Sequence, residues 1–196
     1  FTAIKAKTGL EVIVKQGEDK KVVIEADDNL QDHIFTEVKE GTLEVYVDAN
    51  IRKSSAKKVY ITLPVLTNLS SSSGASVSSA NTFKCTSVGF DSSSGSSLTF
   101  TVEAEKIDCE SSSGSTMTLS GRTVSLDTDS SSGSSMNLKN LVAQNIDAES
   151  SSGSSTTVNP TESLKADASS GSSINYVTKP KSISADKSSG GSVSFQ

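Results

Sequence analysis

Six carboxylates stand four residues ahead of successive glycines: Asp91, Glu110, Asp129, Glu149, Asp167 and Asp186. A fixed offset from a recurring turn puts them in one file down an outer edge if the turns stack. Neighbours about 4.8 Å apart in bulk water would repel by roughly 0.9 kcal/mol, less with salt, so a solvated row of carboxylates is tolerable. The plain reading is a polar outward edge. The sharper one is a row of weak sites for a hard cation such as calcium, helped by Asp108, Asp127 and Asp147 two residues earlier. Glycoside hydrolysis asks for two carboxylates at a defined separation, one with a raised pKa, and a calcium-dependent lyase asks for clustered acids with a base. The ladder offers pairs at many spacings and so singles out none. Arg122 is the sole arginine among the repeats, and a chain with no Trp and only Tyr46, Tyr60 and Tyr176 is poorly supplied for stacking on sugars.

Other reactive groups read as structural. Rows of serine accompany the glycines, but no histidine or lysine base recurs with them, so nothing activates them as nucleophiles. His33, the only histidine, lies in Gln31-Asp32-His33-Ile34, a turn entering a strand. Cys85 and Cys109 fall at different places in the repeat and read as small buried thiols rather than a disulfide. Arg52-Lys53 and Lys57-Lys58 read as a solvated basic loop.

What must position these residues is a repeat. The glycines that follow Ser-Ser pairs are Gly74, Gly95, Gly114, Gly133, Gly153, Gly171 and Gly190, with gaps of 21, 19, 19, 20, 18 and 19 residues. A flexible Ser/Gly linker has no reason to keep a period. Around each glycine apolar residues alternate with polar ones, the signature of a strand with one face buried. Four columns read as inward: seven before the glycine (Val88, Ile107, Leu126, Ile146, Leu164, Ile183), five before (Phe90, Cys109, Thr128, Ala148, Ala166, Ala185), three after (Val77, Leu98, Met117, Met136, Thr156, Ile174, Val193) and five after (Phe100, Leu119, Leu138, Val158, Tyr176, Phe195, with Ser79 first). The Ser, Thr, Asn, Asp, Glu and Lys between them read as facing solvent.

The expected fold is all-β: a single-domain parallel β-helix, or β-solenoid, of about 19 residues per coil with stacked Ser-Ser-Gly corners, wound right-handed because parallel crossovers prefer that hand. Each unit is expected to run strand, tight corner, strand and variable return, and no unit is stable without its neighbours. Residues 67–196 form the regular repeats. Residues 1–66 lack the serine signature but show strands over Ile4–Ala6, Leu10–Lys15, Val22–Ala26, Ile34–Val38, Leu43–Val47 and Val59–Leu63, and read as irregular initial coils that also cap the stack. The last strand, Ser192-Val193-Ser194-Phe195, is expected to leave an edge that pairs with a second copy or is covered by a further tail of the chain.

Composition agrees with a thin, regular fold. Only 33% of residues are hydrophobic and 5% aromatic, yet a net charge of −5 is too modest for a disordered chain. Without clustered Lys and Arg the chain is not a nucleic-acid binder, and no apolar run is long enough for a transmembrane helix. A start at Phe1 rather than Met suits an exported chain whose targeting segment has been removed.

The opening pattern, Phe1-Thr2-Ala3-Ile4, then Leu10-Glu11-Val12-Ile13-Val14-Lys15-Gln16-Gly17, Val22-Val23-Ile24-Glu25-Ala26-Asp27-Asp28-Asn29-Leu30 and Gly41-Thr42-Leu43, resembles the head GIN domain family, as do the Ser-Ser-Gly repeats that follow. The resemblance covers nearly the whole chain. It implies an exported auto-transporter adhesin of the kind frequent in Bacteroides-like bacteria, placed in the periplasm or at the outer membrane or cell surface, and it carries no catalytic residues. The expected function is therefore a non-catalytic, adhesin-like binding module for a surface glycan or protein, with no cofactor beyond weakly bound calcium. A structural spacer or assembly element is the second expectation, and a pectinase-like polysaccharide lyase or hydrolase the third.

Overall fold

Each Ser-Ser-Gly is a two-residue reversal in which both central residues are left-handed. The serines before the glycines, Ser73, Ser94, Ser113, Ser132, Ser152, Ser170 and Ser189, have φ of 46° to 53°, and the glycines after them 68° to 82°. The N–H one residue past each glycine donates back across the turn, as from Ala75 to the Ser72 carbonyl at 3.1 Å and from Ser134 to that of Ser131 at 3.1 Å. Positive φ at both central positions with this bond defines a type I′ turn, the tightest reversal compatible with strand twist. The turns also bond to one another. Each of the six glycine N–H groups from Gly74 to Gly171 donates to the left-handed serine carbonyl of the next coil at 3.1 Å.

The computed structural model describes residues 1–27, 31–48 and 57–196. Between the turns run β7 (Asn68–Ser71), β8 (Ser76–Ser79), β9 (Phe83–Ser92), β10 (Ser97–Ser111), β11 (Thr116–Ser130), β12 (Ser135–Ser150), β13 (Ser155–Ala168), β14 (Ser173–Tyr176), β15 (Ser182–Lys187) and β16 (Ser192–Phe195). All pair in parallel with their equivalents one coil away, so the solenoid and its period of about 19 residues are as expected. The expected variable return does not exist in the central coils. There β10 to β13 run unbroken for 14 to 16 residues and bend around the second corner without leaving the ladder.

The first 66 residues hold more order than the sequence suggests. Strands β1 (Ala3–Ala6) and β2 (Glu11–Gln16) flank Thr8 and Gly9, whose φ values of 60° and 65° make the same kind of corner without its serines. The Gly9 N–H joins the turn ladder through the Ser73 carbonyl at 3.1 Å. This first coil is not at the end of the stack. Strand β1 lies between β5 (Thr42–Val47) and β7, and β2 between β6 (Lys57–Leu63) and β8. Strands β3 (Lys21–Ala26) and β4 (Ile34–Lys39) then cover β6 and β5 in antiparallel fashion and close that end. Lys57-Lys58 accordingly sits in β6, not in a loop, with Lys58 Nζ 3.5 Å from Glu11. Arg52, Lys53 and Asp28-Asn29-Leu30 lie outside the described residues.

The four expected columns do face inward, and their members are buried through the body of the stack, with Phe83, Phe90 and Phe100 clustered at 4.9 and 5.2 Å between ring centres. Ser79 and Tyr176 are only partly buried, and burial fails in the last coil, at the open edge of the sheet, where Ile183 and Phe195 are 47% and 49% exposed. Two further columns are buried that the sequence reading left in solvent. These are the residues three before the glycine (Ser71, Ser92, Ser111, Ser130, Ser150 and Ala168) and one after it (Ala75, Ser96, Ser115, Ser134, Ser154, Ser172). Flanking so tight a turn, they point into the narrow wedge of the coil, where only a small side chain fits. Their hydroxyls are satisfied in series. Ser96, Ser115, Ser134, Ser154 and Ser172 each donate to a carbonyl of the preceding coil at 2.7 to 2.8 Å. With the Ser96 and Ser134 hydrogens so committed, it is Ser92 and Ser130 that donate across the turn to those hydroxyls, at 3.0 Å.

The last coil breaks both columns. Gly191 stands where a Cβ would run into the Ala168 carbonyl, and Lys187 occupies the serine position, its ammonium donating to the Val193 carbonyl at 3.0 Å.

Truncating Ser134 to alanine strips Ser130 and the Ser111 carbonyl of a buried partner, and should destabilise the chain by about 1–3 kcal/mol. The neighbouring exposed Ser135→Ala should stay within about 0.5 kcal/mol of the parent. Midpoints of urea denaturation followed by circular dichroism check both.

Candidate functional site

Three outward surfaces could meet a ligand. The first is the acidic face. Asp91, Glu110, Asp129, Glu149, Asp167 and Asp186 are in direct register across β9, β10, β11, β12, β13 and β15. Two residues earlier Asp108, Asp127 and Asp147 pair in a second file that ends at Lys165. Two lysines partly neutralise this second file. Lys106 Nζ lies 3.0 Å from Asp108 and 3.2 Å from Asp127, and Lys165 Nζ lies 2.8 Å from Asp147. Hydrogen bonds and attraction to these carboxylates hold both ammonium groups above the usual lysine range. At the start of the first file Asn68 donates to Asp91 at 2.9 Å. Between the files lies a shallow hollow of about 270 Å³. Among the described residues, no three side chains of the metal-binding types converge on one point.

The second surface, beyond the turn, carries no charge over most of its width. Ser76, Ser97, Thr116, Ser135, Ser155, Ser173 and Ser192 form one in-register file, and Ser78, Thr99, Thr118, Asn137, Thr157, Asn175 and Ser194 the next, save that Ser192 and Ser194 continue from β14.

The third is a groove at the second corner, where β9 to β13 bend. Here Lys84, Glu103, Arg122 and Val142 align, and beside them Cys85, Ala104, Thr123, Ala143 and Pro160. Glu103 ties its neighbours together, 2.9 Å from Arg122 and 3.9 Å from Lys84. Val124 and Val142 are 44% and 43% exposed and form an apolar floor with Cys85 and Ala104. The groove encloses about 490 Å³ and opens to solvent along its length. Beyond Val142 the register jumps, Asn137 pairing with Thr157 but Val142 with Asn159, so β13 takes a shorter path and Thr161 ends the groove. The sequence reading missed this site by treating the corner as a variable return. The one trace was the pair of gaps of 20 and 18 residues around Gly153, which mark the longer and shorter coils.

The remaining candidates keep structural places. His33 ends a short 3-10 turn, Gln31–His33, its Nδ1 3.0 Å from Asp48, and leads into β4 at the end of the sheet. Both cysteines are free, Cys85 half-buried and Cys109 buried. Burial pushes both thiols up, Cys109 far the more, with Asp108, Asp91 and Asp127 adding to the effect. The buried serine hydroxyls are spent on backbone and on one another.

The one-sheet stack with laddered corners defines a β-solenoid. The chain belongs to the family described as putative auto-transporter adhesin, head GIN domain, whose sequence model matches residues 1–180. Solved structures share the fold. A putative adhesin from Bacteroides fragilis superposes with a TM-score of 0.93 at 23% identity, over 100% of this chain and 92% of that one. A putative adhesin from Parabacteroides distasonis gives 0.81 at 17%, and a putative lipid binding protein from the same species 0.75 at 15%, each over 100% of this chain and 92% of the other. At these identities the likeness is one of fold. No curated protein matches the chain. Among the described residues no helix is long and apolar enough to cross a membrane.

Thiol titration should find two free thiols per chain in denaturant and one, Cys85, in the native protein, reacting faster as alkaline pH draws out its thiolate. An absence of thiols in denaturant would instead mean a disulfide.

Proposed function

We propose that this chain is a non-catalytic binding module of an exported, surface-adhesin kind, engaging a glycan or protein at the cell surface or in the periplasm. The observation that supports it most is the in-register repetition of one outward chemistry through coil after coil. A repeating or extended ligand can make many equivalent contacts with such a surface, and avidity then replaces single-site affinity. Catalysis asks for the opposite, one coil unlike the rest with an acid held in apolar surroundings. The side chains of Asp108, Asp127 and Asp147 are instead 42% to 47% exposed. The acidic face also disfavours nucleic acid as a partner. Calcium, if bound there, would sit on exposed carboxylates and be weak.

The last coil supports a second reading, a spacer or assembly element. Strands β15 and β16 have partners on one side only, and Ile183 and Phe195 stand open at that edge. The ammonium of Lys187 at the same edge opposes close stacking, because a second copy would have to bury it.

Beads coated with the purified chain should adhere to mucin-coated or matrix-coated surfaces and release no reducing ends or unsaturated products from polygalacturonate. Sugar release would overturn the non-catalytic reading, and beads that stick to nothing would overturn binding. Sedimentation across a concentration series decides the second reading: growth in mass that Phe195→Asp abolishes supports assembly, and a strict monomer rejects it.

A further inference from the structure

We infer that the corner groove is the subsite for a neutral oligosaccharide segment, an inference that rests on the binding-module reading and gives it a place and a ligand class. The groove is where the outward repetition stops. Val124 follows Thr123, which pairs with Ala104 and Ala143, so its counterparts one coil away are the polar Glu105 and Gln144; Val142 stands in the file of Glu103 and Arg122, so two coils exchange polar surface for aliphatic surface side by side. Single exposed valines are ordinary on a protein surface, but two that share a groove floor with Ala104 and Cys85 make a continuous apolar strip.

Planar polar groups border this strip with bonding capacity to spare. Arg122 gives one nitrogen to Glu103 and is 73% exposed, while the Glu105 carboxylate and Gln144 amide make no hydrogen bond within the described residues. Guanidinium, carboxylate and amide each present paired donors or acceptors in a plane, which suits adjacent hydroxyls on a sugar ring. The charges bordering the groove balance, Lys84 and Arg122 against Glu103 and Glu105, which favours a neutral ligand over an anionic one. An acyl chain fits less well, because its affinity comes from being covered on all sides and this groove is open along its length. No aromatic ring lines the groove, so a pyranose ring is held by its C–H face on the valines and its hydroxyls at the rim rather than by stacking. The groove crosses five coils, about 19 Å at the ordinary strand spacing, room for a short chain rather than one ring.

The test uses the whole chain, fluorescently labelled, on a printed array of neutral, uronic and sialylated oligosaccharides, with calorimetric titration of dodecanoate alongside. Neutral oligosaccharides should bind, and Val124→Asp and Arg122→Ala should each weaken that binding by about tenfold or more with unchanged melting, since both side chains are exposed. Val38→Asp, at a more exposed valine in the end cap, should bind as the parent does. Neutral sugars bound equally well by the groove variants would overturn the inference and leave the binding-module reading standing. Binding restricted to acidic sugars, to dodecanoate, or to none of these probes would overturn it too, and bead adherence then decides the broader reading separately.

Discussion

The left-handed Ser-Gly corner is the constraint on which the rest depends. A 19-residue coil buries too few side chains to offset the entropy of ordering itself, so it must borrow stability from the coils on either side. The corner makes this possible because its own N–H and C=O groups are divided between closing the turn and linking to the next turn, leaving little backbone unpaired. Serine at the first central position tolerates positive φ at some cost, and glycine at the second adopts it freely. Small side chains on either flank then allow the coil to pinch shut, and their hydroxyls take up carbonyls that the pinch would otherwise strand.

This explains why the coil has a mixed interior. Toward the middle it is aliphatic and aromatic, with Phe90, Phe100, Leu119 and Ile146 in contact through one continuous core. Toward the corner it is a hydrogen-bonded file of serine. Of the two threonines in the inward columns, Thr156 lies 2.9 Å from the Ser150 hydroxyl, whereas the Thr128 Oγ1, deeper in the aliphatic part, is buried without a partner. The outer surfaces inherit the same register, so that whatever a single coil displays is displayed again one strand spacing away.

How much of this was legible depends on what a residue type can reveal about its surroundings. The glycine period and the alternation of Leu126 with Asp127, or Ile146 with Asp147, were enough for the solenoid, its coil length and its inward columns. The serines were not legible in the same way. Ser134 and Ser135 are identical in sequence terms, yet one is buried and the other exposed, and only the geometry of the turn separates them. The acidic file lies in register as its fixed offset requires, and the two lysines sit against the second file beside it. The groove was hidden because it arises from coils of unequal length meeting at a corner, and no motif announces such a mismatch. The placement of β1 between β5 and β7 was equally out of reach, since neighbours in a stack need not be neighbours in the chain.

That interleaving has a consequence for how the molecule comes to be. Strands β1 and β2 have both of their lateral edges paired with segments that lie later in the chain, β5 and β6 on one flank and β7 and β8 on the other. Their pairing is complete only with residues as distant in the chain as Ser79, so these contacts carry a loop-closure cost that consecutive coils avoid. Each later coil pairs instead with the coil just before it, about 19 residues away, so the rest of the stack is held by contacts nearer in sequence.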